Sequence, residues 1–120
     1  MKLKKIIDAR GAIAEFSNGE KISASICYWA MKFMVKTDSD AEFFNNKTKE
    51  IIDKYTVVNE DGKQFIPSDK SDIIEEEIEE IGNTEAEDPG IKFPLSELSK
   101  GLNLSMKQMY SLIDFVDDSK

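Results

Sequence analysis

The amino-acid sequence predicts one small α+β domain over residues 1–120 that is mainly α, with four to five helices and a short β-hairpin or edge strands. Two patterns support this prediction. Apolar residues recur every three or four positions along much of the chain, and the dipeptide Asp61-Gly62 lies between two short β-prone runs. We expect residues 1–55 to form a helical core half. Residues 56–120 are expected to contain the hairpin, an acidic helix, a loop, an edge strand and a C-terminal helix.

The first two helices are predicted from their apolar periodicity. Residues 3–16 carry most of their apolar side chains on one face, and Asn18-Gly19 is a typical helix stop. Residues 22–36 are apolar on nearly every side, which is typical of a helix surrounded by other elements. We therefore expect 22–36 to be the central core helix. Cys27 lies within it and is expected to be a buried, unreactive thiol.

A third helix is predicted over residues 38–55. Thr37 followed by Asp40 resembles a capping box, and acidic side chains are favourable at a helix N-terminus. The same pattern is compatible with one long, bent helix that joins 22–36 to 38–55. The sequence leaves these two arrangements open.

The middle of the chain is predicted to form a short hairpin or an ordered loop and then an acidic helix. Residues 56–58 and 64–66 flank the turn, and Pro67 ends the second strand. The helix is expected over residues 70–81, with isoleucines on one face and glutamates on the others. Residues 83–90 are polar and are predicted to be a mobile loop.

The last part of the chain is predicted to contain an edge strand and a helix. Residues 91–95 alternate in the manner of a strand, and Pro94 confines that strand to an edge. Ser105 and Gln108 have the spacing of a capping box. We therefore predict a helix over residues 105–117.

The negative charge is concentrated in one part of the chain. The net charge is −8, yet residues 1–60 sum to +1 and residues 61–120 to −9. Residues 69–88 hold ten acids and a single base, Lys70. A solvated helix face is one interpretation of such a run, and a surface that faces a basic partner is the other. The carboxylates predicted to contact a partner are Glu75, Glu76, Glu79, Glu80, Glu85, Glu87 and Asp88.

An aromatic cluster lies in the helical half of the chain. Trp29 and Phe33 follow Tyr28 at helical spacing, and Phe43 and Phe44 come one helix later. Core packing is one interpretation of this cluster. The other is that some of these rings form an exposed hot spot for a protein partner. On that second interpretation, Trp29 and Phe33 join the predicted contact residues.

The composition excludes several kinds of chemistry. The chain has no histidine, which excludes a Ser-His-Asp triad and an imidazole–zinc site, and its single cysteine excludes an internal disulfide. It contains no phosphate-binding P-loop and no G-x-G-x-x-G motif. We therefore predict a protein that is not an enzyme, with no catalytic residue, no metal ligand and no cofactor. The acidic balance also argues against a nucleic-acid partner.

The sequence predicts no membrane segment. The longest nearly apolar stretch, residues 26–35, is ten residues long and contains Lys32, whereas a helix that spans a bilayer needs about 20 apolar residues. The lysine-rich start is interrupted by acidic residues before any apolar region of a signal peptide. We expect a soluble, intracellular protein.

Taken in order, these features resemble a family of small phage proteins of unknown function, which are often encoded among phage structural and accessory genes. The length and character of the chain are also similar to the phage-encoded inhibitors of defence-associated sirtuin NADases. The resemblance covers nearly the whole chain and contains no single diagnostic motif. It is carried by Lys2-Leu-Lys-Lys-Ile-Ile7, by Gly19-Glu-Lys-Ile-Ser-Ala-Ser-Ile26 with Ile51-Ile-Asp-Lys-Tyr55, by Asn59-Glu-Asp-Gly-Lys63, and by Phe93-Pro-Leu-Ser-Glu-Leu98 with Leu102-Asn-Leu-Ser105.

The resemblance implies a non-enzymatic, phage-encoded protein-binding module of the host cytoplasm. Its function would be to bind and block a bacterial immune enzyme, of which a defence-associated sirtuin NADase is the implied example. The alternative is a structural or tail-assembly accessory protein of the phage particle, which predicts a phage structural partner and possible self-association.

Overall fold

A computed structural model describes residues 1–17, 22–99 and 102–120, and it confirms a mainly helical α+β fold. The helix stop predicted at Asn18-Gly19 lies outside the described residues. The helices are α1 (Leu3–Ser17), α2 (Ala24–Lys36), α3 (Asp38–Tyr55), α4 (Ser71–Gly82), α5 (Leu95–Leu98) and α6 (Met106–Leu112). The strands are β1 (Val57–Val58), β2 (Gln64–Phe65), β3 (Phe93–Pro94) and β4 (Val116–Asp117), and 3₁₀ turns cover Ser68–Lys70 and Ile113–Phe115. Within the described ranges, no helix is long and apolar enough to cross a membrane.

The hydrophobic core lies between α1, α2 and the C-terminal part of the chain. Phe33 of α2 is fully buried, with its ring centroid 4.9 Å from that of Phe115 and 6.2 Å from that of Phe93. The core therefore joins residues that are distant in sequence. Its buried members are Ile6, Ala9, Ala12, Ile13, Phe16, Ile26, Ala30, Phe33, Ile91, Phe93, Leu98, Leu112 and Phe115.

Helices α2 and α3 are separate, and Thr37 is the one residue between them. The predicted capping box at this position is wrong, because the Thr37 side chain makes no capping hydrogen bond to α3. Its hydroxyl donates to the Phe33 carbonyl oxygen at 2.8 Å and accepts from the Arg10 guanidinium at 2.9 Å. Arg10 also donates to the Met34 carbonyl oxygen at 2.8 Å. A side chain of α1 therefore fixes the junction between α2 and α3.

The edge strand predicted over residues 91–95 is present as β3, and its parallel pairing with a second strand, β4, was not predicted from the sequence. β3 pairs with β4, and Phe93 lies opposite Val116. The capping box of Ser105 and Gln108 is confirmed at the start of α6. The prediction that this helix continues to residue 117 is wrong. The chain leaves the helix after Leu112 because residues 116 and 117 supply β4.

The predicted hairpin between α3 and α4 is confirmed. β1 and β2 are antiparallel, with Val57 opposite Phe65. Gly62 has φ +78°, a left-handed conformation that glycine adopts without strain. The Asn59 side-chain oxygen accepts hydrogen bonds from two backbone N–H groups across the turn, at 3.0 and 2.9 Å. The turn is therefore well specified, although every residue of both strands is exposed.

Candidate protein-docking surface

Helix α2 carries two apolar stripes, and only one of them is buried. The inner stripe of Ile26, Ala30 and Phe33 lies in the core. The outer stripe of Tyr28, Met31 and Val35 is 48%, 65% and 71% exposed. The expectation that α2 is surrounded by other elements is therefore wrong. Cys27 also lies on the outer side and is exposed, so the prediction of a buried thiol is wrong as well.

The position of α2 explains this exposure. The helix packs mainly against α1, α3 and α5, which together cover its inner side. A chain of this size buries one small core, and within the described part of the chain nothing lies over the outer stripe. The outer side chains are large, apolar and contiguous along two helical turns. Contiguous exposed apolar patches on small proteins are typical of contact sites.

The two aromatic residues predicted as contacts, Trp29 and Phe33, lie in different environments on α2. Phe33 is buried in the core and cannot reach a partner, which corrects its assignment to a contact surface. Trp29 is partly buried and stacks on Tyr28 with ring centroids 5.6 Å apart. The Lys32 ammonium lies over both rings, 5.4 Å from the Trp29 centroid. Trp29 therefore lies at the edge of the outer face, where its ring makes a cation–π contact with Lys32.

A groove of about 560 Å³ runs between the outer face of α2 and the segment before β3. Pro89, Gly90 and Ile91 form one wall, and the α2 side chains form the other. Gly90 has φ +72°, and its N–H donates to the Asp88 carboxylate at 2.8 Å, which turns the chain into this wall. The α2 residues that line the groove are Tyr28, Trp29, Met31, Lys32, Val35 and Lys36.

The groove continues into an acidic depression of about 460 Å³. Lys36 and Pro89 line both cavities, so the two are adjacent. The acidic part is lined by residues 85–88, together with Ser39 and Asp40 at the start of α3. We call the outer residues Tyr28, Trp29, Met31 and Val35, together with residues 85–91, the docking surface.

The segment predicted to be a mobile loop is anchored to the start of the chain. The Leu3 N–H donates to the Thr84 carbonyl oxygen at 2.8 Å, and the Ala86 N–H donates to the Met1 carbonyl oxygen at 2.8 Å. Glu85 lies 3.3 Å from the Met1 amino group. Glu87 and Asp88 follow this anchor and are exposed beside the groove. Their carboxylates are therefore held near the apolar face.

The four predicted carboxylates of α4 form a second surface. Ile74 is buried beneath the helix, whereas Glu75, Glu76, Glu79 and Glu80 are exposed on its outer side. We call these four residues the acidic helix face. Helix α4 packs against α3 and α1 rather than α2. The structure thus brings Trp29 close to the 85–91 segment and assigns Glu75–Glu80 to another element.

The acidic helix face lowers the stability of α4. Glu75 and Glu79 are four residues apart, as are Glu76 and Glu80, and like charges at this spacing destabilise a helix by about 0.2–0.5 kcal/mol per pair. Glu79 and Glu80 also lie in the last turn of α4, where the helix dipole disfavours negative charge. These carboxylates do not improve the stability of the helix, which favours a role in contact or attraction.

One glutamate of α4 has a different environment. Glu77 points toward α3, and its Oε1 lies 3.0 Å from the Lys54 ammonium. The hydrogen bond from Lys54 lowers the pKa of Glu77 below its ordinary value of 4.5. The same contact raises the pKa of Lys54. This pair fastens α4 to α3, so Glu77 has a structural role.

The arrangement of these groups is suited to binding. Within residues 1–17, 22–99 and 102–120, no group of three or more Asp, Glu or Cys side chains is placed to hold a metal ion. The docking surface offers apolar contact area, exposed carboxylates and two lysines that line the groove. Such a surface can desolvate apolar side chains of a partner and pair with cationic ones.

Comparison of the chain with protein-family models, with curated proteins and with solved structures found no match. The resemblance to phage proteins therefore stays a prediction.

Sequence reasoning missed several residues of the docking surface. Met31, Val35 and Ile91 were absent from the predicted contacts, yet they line the groove. A signal was present, because residues 28, 31 and 35 follow the i, i+3, i+7 spacing of a single helical stripe. That stripe lies beside the inner one, and the sequence does not indicate which of them is left uncovered.

Proposed function

We propose that the protein is a protein-binding module and that its docking surface is covered by a partner. The observation that carries this proposal is the outer stripe of α2, which is exposed along two turns although its side chains are large and mainly apolar. Burial of a large apolar side chain contributes roughly 1.5–3 kcal/mol. Met31 and Val35 therefore have the potential to act as central contacts.

The charge around the groove indicates the chemistry of the partner. Glu87 and Asp88 lie at one end of the apolar face, and Asp40 lines the same depression. A partner with an apolar patch next to Arg or Lys side chains fits this arrangement. The acidic helix face would raise the association rate with such a partner, because long-range attraction steers diffusional encounter.

The more specific part of the proposal concerns the identity of the partner. On the resemblance described above, the partner is a bacterial immune enzyme in the host cytoplasm, such as a defence-associated sirtuin NADase. Inhibition would follow from occlusion of the enzyme or from stabilisation of an inactive conformation. Neither mechanism requires a reaction catalysed by this chain.

The test is affinity capture from bacterial lysate at low and at high salt, with three baits. The baits are the unaltered chain, the variant Met31→Glu and the control Met106→Glu. Met106 is 89% exposed on α6, so the control places the same charge on an exposed apolar residue outside the docking surface. The unaltered chain and the control are expected to retain one host protein, more strongly at low salt. Met31→Glu is expected to lose it.

Two outcomes would contradict the proposal. In the first, no host protein is retained at low salt. In the second, Met31→Glu and Met106→Glu bind the same protein equally well, which would separate binding from the outer face of α2. To test the more specific claim, the purified NADase is assayed with each of the three proteins, and inhibition is expected to follow the same order as capture.

The alternative function is that of a structural or assembly accessory of the phage particle. The observation that favours it is the group of exposed apolar side chains on the β1–β2 hairpin, which contact with another protein chain would bury. Absence of the protein from purified particles, together with normal plaque formation without it on a host that lacks defences, would argue against this function.

A further inference from the structure

The hairpin between α3 and α4 is a second exposed apolar region, separate from the docking surface. We call residues 56–66 the hairpin arm. Each of its strands is two residues long, and within the described residues the sheet has only these two strands. Both outer strand edges are therefore unpaired. The exposed apolar side chains of the arm are Val57, Val58, Phe65 and Ile66.

The conformation of the arm is defined by its turn and by the helices at its two ends. A two-stranded hairpin is marginally stable by itself in water. Here Asn59 and Gly62 specify the turn, and α3 and α4 hold the two ends of the arm, since Lys54 of α3 pairs with Glu77 of α4. The arm therefore extends from between α3 and α4 with unpaired strand edges, and strand addition to such an edge is a known mode of association.

The charges of this region fit a second copy better than a strongly basic partner. Residues 56–70 contain three acids and two bases, whereas residues 71–88 contain nine acids and no base. Two copies that met through residues 71–88 would repel each other, because this segment carries only negative charges. The arm, by contrast, has charges of both signs. Its turn is acidic, with Glu60 and Asp61, and Lys70 follows its base.

We propose that two copies of this chain associate through the hairpin arm, with the outer edge of β2 in one copy pairing antiparallel with β2 of the other. A two-fold axis near Phe65 brings the turn of each arm close to the base of the other arm. Glu60 of one copy then faces Lys70 of its partner, and the same contact occurs twice. Pairing through β1 is disfavoured, because the base beside β1 is Lys54, which already pairs with Glu77.

This association is independent of partner binding at the docking surface, and it rests on the same hairpin that favours the alternative function. The docking surface and the arm are formed by different elements, so a dimer leaves the outer face of α2 open. Each dimer would therefore bind two partner molecules, one at each α2. Loss of dimerisation and loss of partner binding are measured separately.

The test measures the molar mass of the purified full chain by sedimentation equilibrium over a wide range of concentrations. The variants are Lys70→Glu, Glu60→Lys and the double charge swap, with Met31→Glu as the control. The unaltered chain is expected to shift from monomer to dimer as concentration rises. Each single substitution places like charges opposite one another twice and is expected to weaken the dimer by about tenfold. The double swap is expected to restore it.

The design separates misfolding from loss of contact. Glu60 and Lys70 are exposed, and an acidic residue at position 70 is favourable before the N-terminus of α4. Far-UV circular dichroism of each variant checks that the single variants fold, and rescue by the double swap shows that the two substitutions together leave the fold intact. A chain that stays monomeric at every concentration would overturn the proposal. Failure of the double swap to restore the dimer, or loss of the dimer in Met31→Glu, would overturn it as well.

Discussion

Helices α2 and α4 each bury one face, and they differ in what the other face carries. The outer face of α2 is apolar and lines a groove, whereas the outer face of α4 is a row of carboxylates that lines none of the cavities described above. Apolar contacts act at short range and provide most of the binding energy at interface centres. Charges act over about 10 Å at moderate salt and govern the rate of encounter.

The difference between these helices teaches that the most conspicuous feature of the sequence is not its best contact site. The excess of acids directs attention to 69–88, and four of the seven predicted carboxylates belong to α4. The apolar groove belongs to α2, and of the seven predicted carboxylates Glu85, Glu87 and Asp88 line the depression beside it, together with Asp40. Attraction and docking are therefore assigned to separate elements.

The largest expected effect distinguishes the two faces of α2. Phe33→Ala on the inner face is expected to reduce the free energy of unfolding by about 3–5 kcal/mol, because it leaves a cavity between Phe93 and Phe115. Val35→Ala on the outer face is expected to change it by less than about 0.5 kcal/mol. Urea unfolding of both variants checks this difference. Equal losses would mean that the outer face is covered within the free chain.

The next prediction uses the single cysteine as a natural probe. Cys27 is exposed on the outer side of α2, so a maleimide is expected to alkylate it readily in the free protein. With the captured partner at about ten times its Kd, the alkylation rate is expected to fall about tenfold, because only the free fraction reacts. Unchanged alkylation in a complex that has formed would place docking away from the outer face of α2.

A smaller effect is expected from neutralising the acidic helix face. Replacement of Glu75, Glu76, Glu79 and Glu80 by Gln is expected to lower the association rate about tenfold at low salt and to leave the dissociation rate unchanged. The free energy of unfolding is expected to rise by about 1 kcal/mol or more, since six like-charge pairs of α4 that are three or four residues apart are removed. Stopped-flow binding at low and high salt measures both rates. A faster dissociation would mean that these carboxylates contact the partner directly.

The smallest effect concerns the pH dependence of the contact between α3 and α4. Since Lys54 lowers the pKa of Glu77 in the folded chain, the stability from this pair is present above the ordinary pKa of 4.5. It is lost as the pH falls through the lowered folded-state pKa. In thermal unfolding at neutral pH, the unaltered chain is therefore expected to have a higher Tm than Glu77→Gln. This difference in Tm is expected to narrow below pH 4.5, and a difference that does not change with pH would contradict this role for the pair.

Local signals in the sequence predicted much of the fold. The capping box of Ser105 and Gln108 and the turn at Asp61-Gly62 depend on residues within a few positions of one another, and both are confirmed. The capping box at Thr37 failed for a non-local reason, since Arg10 lies 27 residues away and accounts for one hydrogen bond of that hydroxyl. The parallel pair of β3 and β4 is equally non-local, and it shortens α6.

The candidate site was less predictable than the fold. Hydrophobicity indicates that a side chain favours burial, and it does not distinguish burial in the core from burial under a partner. Phe33 and Met31 are both apolar residues of α2, and their opposite exposures depend on where α1 and α5 lie. The acidic residues at 85–88 were predicted as contacts, but their position beside α2 depends on the hydrogen bonds of residues 84 and 86 to the start of the chain.

Because a single residue separates α2 from α3, a small change of angle at Thr37 would move the far end of α3 by several ångströms. Helix α3 has 18 residues and is therefore about 27 Å long, with the hairpin arm at its far end. A rotation of about 10° at Thr37 would displace that end by about 5 Å. Arg10 holds the pivot by donating to both Thr37 and Met34. The guanidinium of Arg10 therefore holds the near end of α3, and the packing of α4 against α1 and α3, with the Lys54–Glu77 pair, holds its far end, so the distance between the two contact regions is fixed at both ends of α3.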